Sequence, residues 1–260
     1  MKDAGASRGC GLLGLVAALG MGASDLLMLA RPVSGQEFVR LGIGNLALIP
    51  EGRLTAGAVL GVVFSALYVP GFWSVAQATG PAGQRPAFVM FCLLCATAVF
   101  GAAFHAAHGF VGIGLQAAGS IPSGVPTSGV AASFDALMKW LASLGALALL
   151  GGSVCFVILV AAGRSHYPRW FAVCPPFVLV LGCAGMGWLA PEPVGGYLWP
   201  SCFNLGMLVF FGLSLYFTGS VRPQGGRALS EPPNKALQQT GRHDGFSRVE
   251  GTPAGPAAEL

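Results

Sequence analysis

Two imidazoles, His105 and His108, stand in the segment GAAFHAAHGFVG (residues 101–112), which is otherwise apolar enough to cross a bilayer. A full charge at that depth costs ~2.5 kcal/mol or more, so ionisable residues there face a bundle interior and mark functional sites. Gly101, His105, His108 and Gly112 follow one another at intervals of four, three and four residues, a single narrow stripe of an α-helix. Similar stripes of small and polar residues recur as Gly14, Ala18, Met21, Asp25; as Gly57, Gly61, Ser65, Tyr68; and as Tyr197, Ser201, Asn204. Small residues let helices approach closely in lipid, so these four faces are expected to pack together.

Counting rise along the helices places Asp25, Arg53, His105, His108 and Asn204 in the outer half of the membrane. There they could line one polar, ligand-binding cavity open to the non-cytoplasmic side, with Ser65 and Tyr68 deeper. Asp25, His105 and His108 would supply the minimum of three zinc ligands. The HxxH spacing lacks the glutamate of an HExxH motif and no second histidine motif follows, so neither a metal nor another cofactor is expected. Haem ligation between helices wants histidines on different spans, and His166 lies in a loop. There is no phosphate-binding glycine loop and no GxSxG nucleophile elbow. Three readings remain: a membrane protein that binds, senses or transports a small molecule; an intramembrane metal-dependent or acid/base enzyme acting on a lipid; and a structural or partner-binding protein whose polar groups hold helices together.

The elements that would position these residues are legible from composition. Of 260 residues, 54% are hydrophobic and only 9% charged, which excludes an ordinary soluble domain and points to an all-α polytopic membrane protein. Six transmembrane helices are expected, at about 9–30, 54–78, 87–115, 136–163, 171–190 and 197–218. Residues 1–8 form a short basic N-terminus, an interfacial helix is expected over 37–48, and residues 219–260 read as a disordered tail for want of large apolar residues. The seven cysteines fall in or beside apolar segments as core residues, and the CxxC of Cys92 and Cys95 lies mid-span without the context of a redox motif. Lipid is the expected partner and nucleic acid is not. Basic residues put both termini in the cytoplasm of a bacterial inner membrane: Lys2, Arg8, Arg85, Arg164, Arg169, Arg222 and Arg227 gather on that side, against Arg31, Arg40, Arg53 and Lys139 outside.

Taken in order, the Ser24–Asp25 pair, RLTAG at 53–57, GFW at 71–73, the histidine segment, YPRW at 167–170 and FNLG at 203–206 resemble an uncharacterised family of bacterial six-span membrane proteins, one of the domains of unknown function. The resemblance covers about Leu12 to Thr218. It implies the architecture and no activity. Members commonly carry glycine before the aspartate, where this chain has Ser24.

Because the tail has no core-forming pattern, truncation after Arg222 is expected to leave expression and the thermal midpoint of the purified protein unchanged. A large loss of either would show that the tail docks on the bundle.

Overall fold

The computed structural model describes residues 2–119 and 128–220, and these are all-helical. The helices are α1 (Lys2–Leu29), α2 (Gly35–Leu41), α3 (Glu51–Thr79), α4 (Gln84–Gly119), α5 (Ser128–Ala161), α6 (Pro176–Leu189) and α7 (Gly195–Ser220), with short 3-10 stretches at Gly42–Leu48, Gly80–Ala82 and Arg169–Val173. The expected tail beyond Ser220 and the linker at 120–127 lie outside the described residues.

Among the described residues, five helices are long and apolar enough to cross a membrane: Ser7–Leu29, Glu51–Ala82, Gln84–Ala117, Ala132–Ala161 and Gly195–Gly219. The chain thus fits a multi-pass membrane protein. Hydropathy predicts a sixth such helix over 171–190, but α6 has only 14 residues. The cause is local. Pro175 lacks an N–H and holds Cys174 out of the helical region, so Arg169–Val173 forms a 3-10 turn and the α-helix begins only at Pro176. The interfacial helix expected over 37–48 is likewise divided, at Gly42, whose φ of 51° suits glycine.

In space the long helices follow the order α5, α4, α3, α1, α7, α6, each packed on the next, with a lighter contact of α5 against α6 and its preceding turn closing the ring. Large apolar side chains such as Val99, Leu147, Ile158 and Leu181 point outward, which suits a hydrocarbon surround. Helices α1 and α3 pack in close backbone contact. A Cβ on Gly71 would lie 2.6 Å from the Cα of Gly14, and a Cβ on Gly57 would lie 2.6 Å from the Cβ of Met28. These glycines fix an antiparallel register in which Ser24 and Asp25 lie beside Gly57 and Gly61.

Two apolar cores fill the ring. The larger, toward the end that carries the N-terminus, stacks Tyr68, Phe72 and Phe211, and links Phe156, Phe171 and Phe210 at 5.3–5.9 Å between ring centres. Tyr167, in the loop before α6, is buried at that end with its hydroxyl 2.6 Å from Ser214 Oγ; burial raises its phenol pKa, against the opposing effect of that hydrogen bond. The smaller core, at the opposite end, gathers Met28, Leu29, Leu46, Ile49, Leu54 and Val111. Between the two lies a polar layer.

If the Gly14–Gly71 contact sets the register, Gly71→Ala should lower stability by about 1–3 kcal/mol, the usual cost of overpacking. A fall in thermal midpoint measures it. Gly101→Ala, where a Cβ meets nothing within 4 Å, is the control and should be neutral.

Candidate functional site

The polar layer is built from α1, α3, α4 and α7. Ser24 and Asp25 project from the penultimate turn of α1, four to five residues before its end. The Ser24 hydroxyl donates to the Gly57 carbonyl at 2.6 Å, crossing to α3. His105 reaches the same point from α4 because Gly61 has no side chain: a Cβ there would overlap the imidazole. His105 Nδ1 lies 3.3 Å from Ser24 Oγ, and Nε2 lies 3.5 Å from Asp25 Oδ1. From α7, Asn204 donates through Nδ2 to Asp25 Oδ2 at 2.5 Å, and accepts at Oδ1 from the Tyr68 hydroxyl at 2.7 Å. Five side chains from four helices therefore form one connected chain: Tyr68, Asn204, Asp25, His105, Ser24.

The relative exposures of Asp25, His105, His108 and Asn204 are 5%, 5%, 8% and 2%, so these residues are packed inside the bundle. Hydrocarbon offers no replacement partners, which makes each of these hydrogen bonds one the protein itself must supply. One group is left over. Ser201 lies one turn before Asn204 on the same face of α7, and its buried Oγ has no hydrogen-bond partner among the described residues.

The remaining sequence-expected residues sit differently. His108 is buried one turn beyond His105, with Nδ1 3.0 Å from the Phe104 carbonyl and its ring against Phe104 at 4.1 Å. Arg53 donates to the carbonyls of Leu26, Leu27 and Ala30 at 2.9–3.1 Å, so it satisfies the open C-terminus of α1. It thereby holds the turn that carries Asp25. Among the described residues no three His, Cys, Asp or Glu side chains gather as a metal-holding group, and Asp25, His105 and His108 do not form one. Gly101, expected on the packed stripe, instead faces open space, while Gly109 and Gly112 pack on Ala58 and Leu54. Tyr197 is 43% exposed and off the buried face of α7.

Spacing alone does not mark two members of the network as site residues. Helical rise puts the Tyr68 backbone deeper than the site, but long side chains on a helix lean toward its N-terminus, and that lean carries the hydroxyl back to the level of Asn204. Ser24 is visible only as the residue beside Asp25; its pairing with Gly57 depends on the α1–α3 register.

A family model described as a family of unknown function (DUF6796) matches residues 1–218, which takes in every residue of the network. The chain belongs to that family. No curated protein and no solved structure matches it. For this family of unknown function the geometry is therefore the source of any functional reading, and in this member the geometry centres on Asp25.

The fit of His105 against Gly61 makes a size-complementation test. Gly61→Ala should displace the imidazole and lower the thermal midpoint, whereas in a His105→Ala background the same substitution should be nearly neutral. Equal losses in both backgrounds would show that the imidazole does not occupy the space beside Gly61.

Proposed function

We propose that this chain is an integral protein of a bacterial inner membrane that crosses it six times, keeps both termini cytoplasmic, and binds, senses or moves a small molecule at the polar layer around Asp25. The sixth crossing is the segment through α6. Its start is tied to one end of the bundle, where the His166 N–H donates to the Ala78 carbonyl, and its finish to the other, where the Gly35 N–H donates to the Ala190 carbonyl. The 3-10 turn and α6, at about 2.0 and 1.5 Å per residue, add to roughly 30 Å, the thickness of a hydrocarbon core. With six crossings, the basic termini and the loops at Arg85, Arg164 and Arg169 share one side, and the greater number of basic residues favours that side as cytoplasmic.

The observation that carries the binding reading is the convergence of Tyr68, Asn204, Asp25, His105 and Ser24 from four helices on one buried point. Interhelical hydrogen bonds contribute only ~0.6 kcal/mol each on average in a membrane protein, less than burying an ionisable pair there costs. Helix attachment alone is therefore a weak reason to place a carboxylate and an imidazole at this depth. The unpartnered Ser201 hydroxyl adds a group for a ligand to satisfy.

Native mass spectrometry of protein purified in mild detergent tests this reading. A small organic molecule should be retained by the wild type and lost from Asn204→Ala, with the fold intact by circular dichroism. Retention of nothing by the wild type, with Asn204→Ala changing only stability, would leave the network as helix attachment. Topology is tested by single cysteines at positions 164 and 192 on a cysteine-free background: position 192 should label from outside intact cells and position 164 only after permeabilisation. Labelling of both from one side would remove the sixth crossing.

A further inference from the structure

The hydrogen-bond directions in the network are fixed from both ends, and they leave one place where a proton is missing from the account. At one end, a carbonyl can only accept, so the single hydroxyl hydrogen of Ser24 is committed to Gly57. Ser24 Oγ is then an acceptor, and the hydrogen facing it belongs to His105 Nδ1. At the other end, Tyr68 donates to Asn204 Oδ1, which turns the Asn204 amide N–H toward Asp25 Oδ2. What remains is Asp25 Oδ1 facing His105 Nε2 at 3.5 Å. With Nδ1 carrying the imidazole hydrogen, both of these atoms present lone pairs unless one further proton sits on one of them.

We propose that Asp25 and His105 together form a binding site for one proton, which the protein takes up and releases as part of its function. The step balances as proton uptake alone: an ionised carboxylate and a neutral imidazole gain one H⁺, held either as the carboxylic acid beside neutral imidazole or as the imidazolium beside carboxylate. The loaded pair has no net charge and the empty pair carries a charge of −1. Hydrocarbon tolerates the first and not the second. Loading therefore closes the contact between α1 and α4, and release sets two lone pairs against each other across it. The remaining titratable groups facing the pair are Tyr68 on α3, His108 on α4 and the Cys202 thiol on α7. Among the described residues Asp25 makes no ion pair with a lysine or arginine, and the guanidinium of Arg53 is occupied by the carbonyls of α1. The proton is thus the cation that neutralises Asp25. This inference rests on the reading of the polar layer as functional, but it needs no retained organic ligand.

Asp25→Asn is the informative variant, because an asparagine oxygen can accept from Asn204 while its N–H donates to His105 Nε2, a permanent copy of the loaded pair. In lipid nanodiscs without added ligand, the wild type should lose thermal stability as pH rises and the proton leaves, while Asp25→Asn should hold at least the wild type's low-pH stability and show no such dependence. Infrared difference spectra across the same pH change should show one carboxyl band and one imidazole band changing together in the wild type, both absent in Asp25→Asn. Nitrogen-15 spectra of wild-type histidines, which need no substitution, should show His105 carrying a hydrogen on Nδ1 at low and high pH, with only Nε2 or its carboxyl partner changing. Carboxyl and imidazole bands that titrate separately, a His105 hydrogen confined to Nε2, or an Asp25→Asn protein as pH-sensitive as the wild type would each overturn the proposal. Ligand retention by native mass spectrometry is read independently, so failure of either proposal is recognised without the other.

Discussion

Asp25 is an acid placed where no water stands ready to solvate it, and the rest of the bundle is arranged around meeting that requirement. One carboxyl oxygen is met by Asn204 from α7 and the other by His105 from α4, while Arg53 from α3 holds the turn that carries it. Each partner needs its own support. Asn204 is oriented by Tyr68 and His105 by Ser24, and Ser24 ends on a backbone carbonyl. The chain of dependence touches four helices before it reaches a group that is satisfied without further help, and it does so between two apolar cores that exclude solvent from either end.

Small residues make this possible by position. Gly57 and Gly61 admit α1 and the His105 ring, and the contact of Gly14 with Gly71 sets the register that brings Ser24 opposite Gly57. In water such glycines would weaken a helix; among packed helices in lipid they allow backbones to meet, and the polar groups then find partners at hydrogen-bond distance. The polar layer is thus a consequence of helix approach as much as of the polar residues themselves.

Much of this arrangement can be read from spacing alone, since the 3.6-residue period projects Gly14, Ala18, Met21 and Asp25 onto one face of α1 and Gly57, Gly61, Ser65 and Tyr68 onto one face of α3, and all eight are buried. Periodicity does not carry side-chain length or direction, which is why Tyr68 reads as too deep and Arg53 as a cavity residue when it closes the end of α1. Nor does hydropathy register two prolines: residues 171–190 are apolar throughout, yet Pro175 and Pro176 leave a helix of 14 residues there. The pairing of Asp25 with His105, 80 residues away in the sequence, depends on the order of helices around the ring, and no local pattern encodes that order.

Helices α1 and α4 meet through Asp25 and His105 at one site. A double-mutant cycle with Asp25→Ala and His105→Ala, each of which removes the contact, read as unfolding free energy in one lipid environment, measures it directly. A coupling energy of about 0.5–3 kcal/mol is predicted, as for residues in contact within one network, whereas additivity to within about 0.3–0.5 kcal/mol would contradict a shared site.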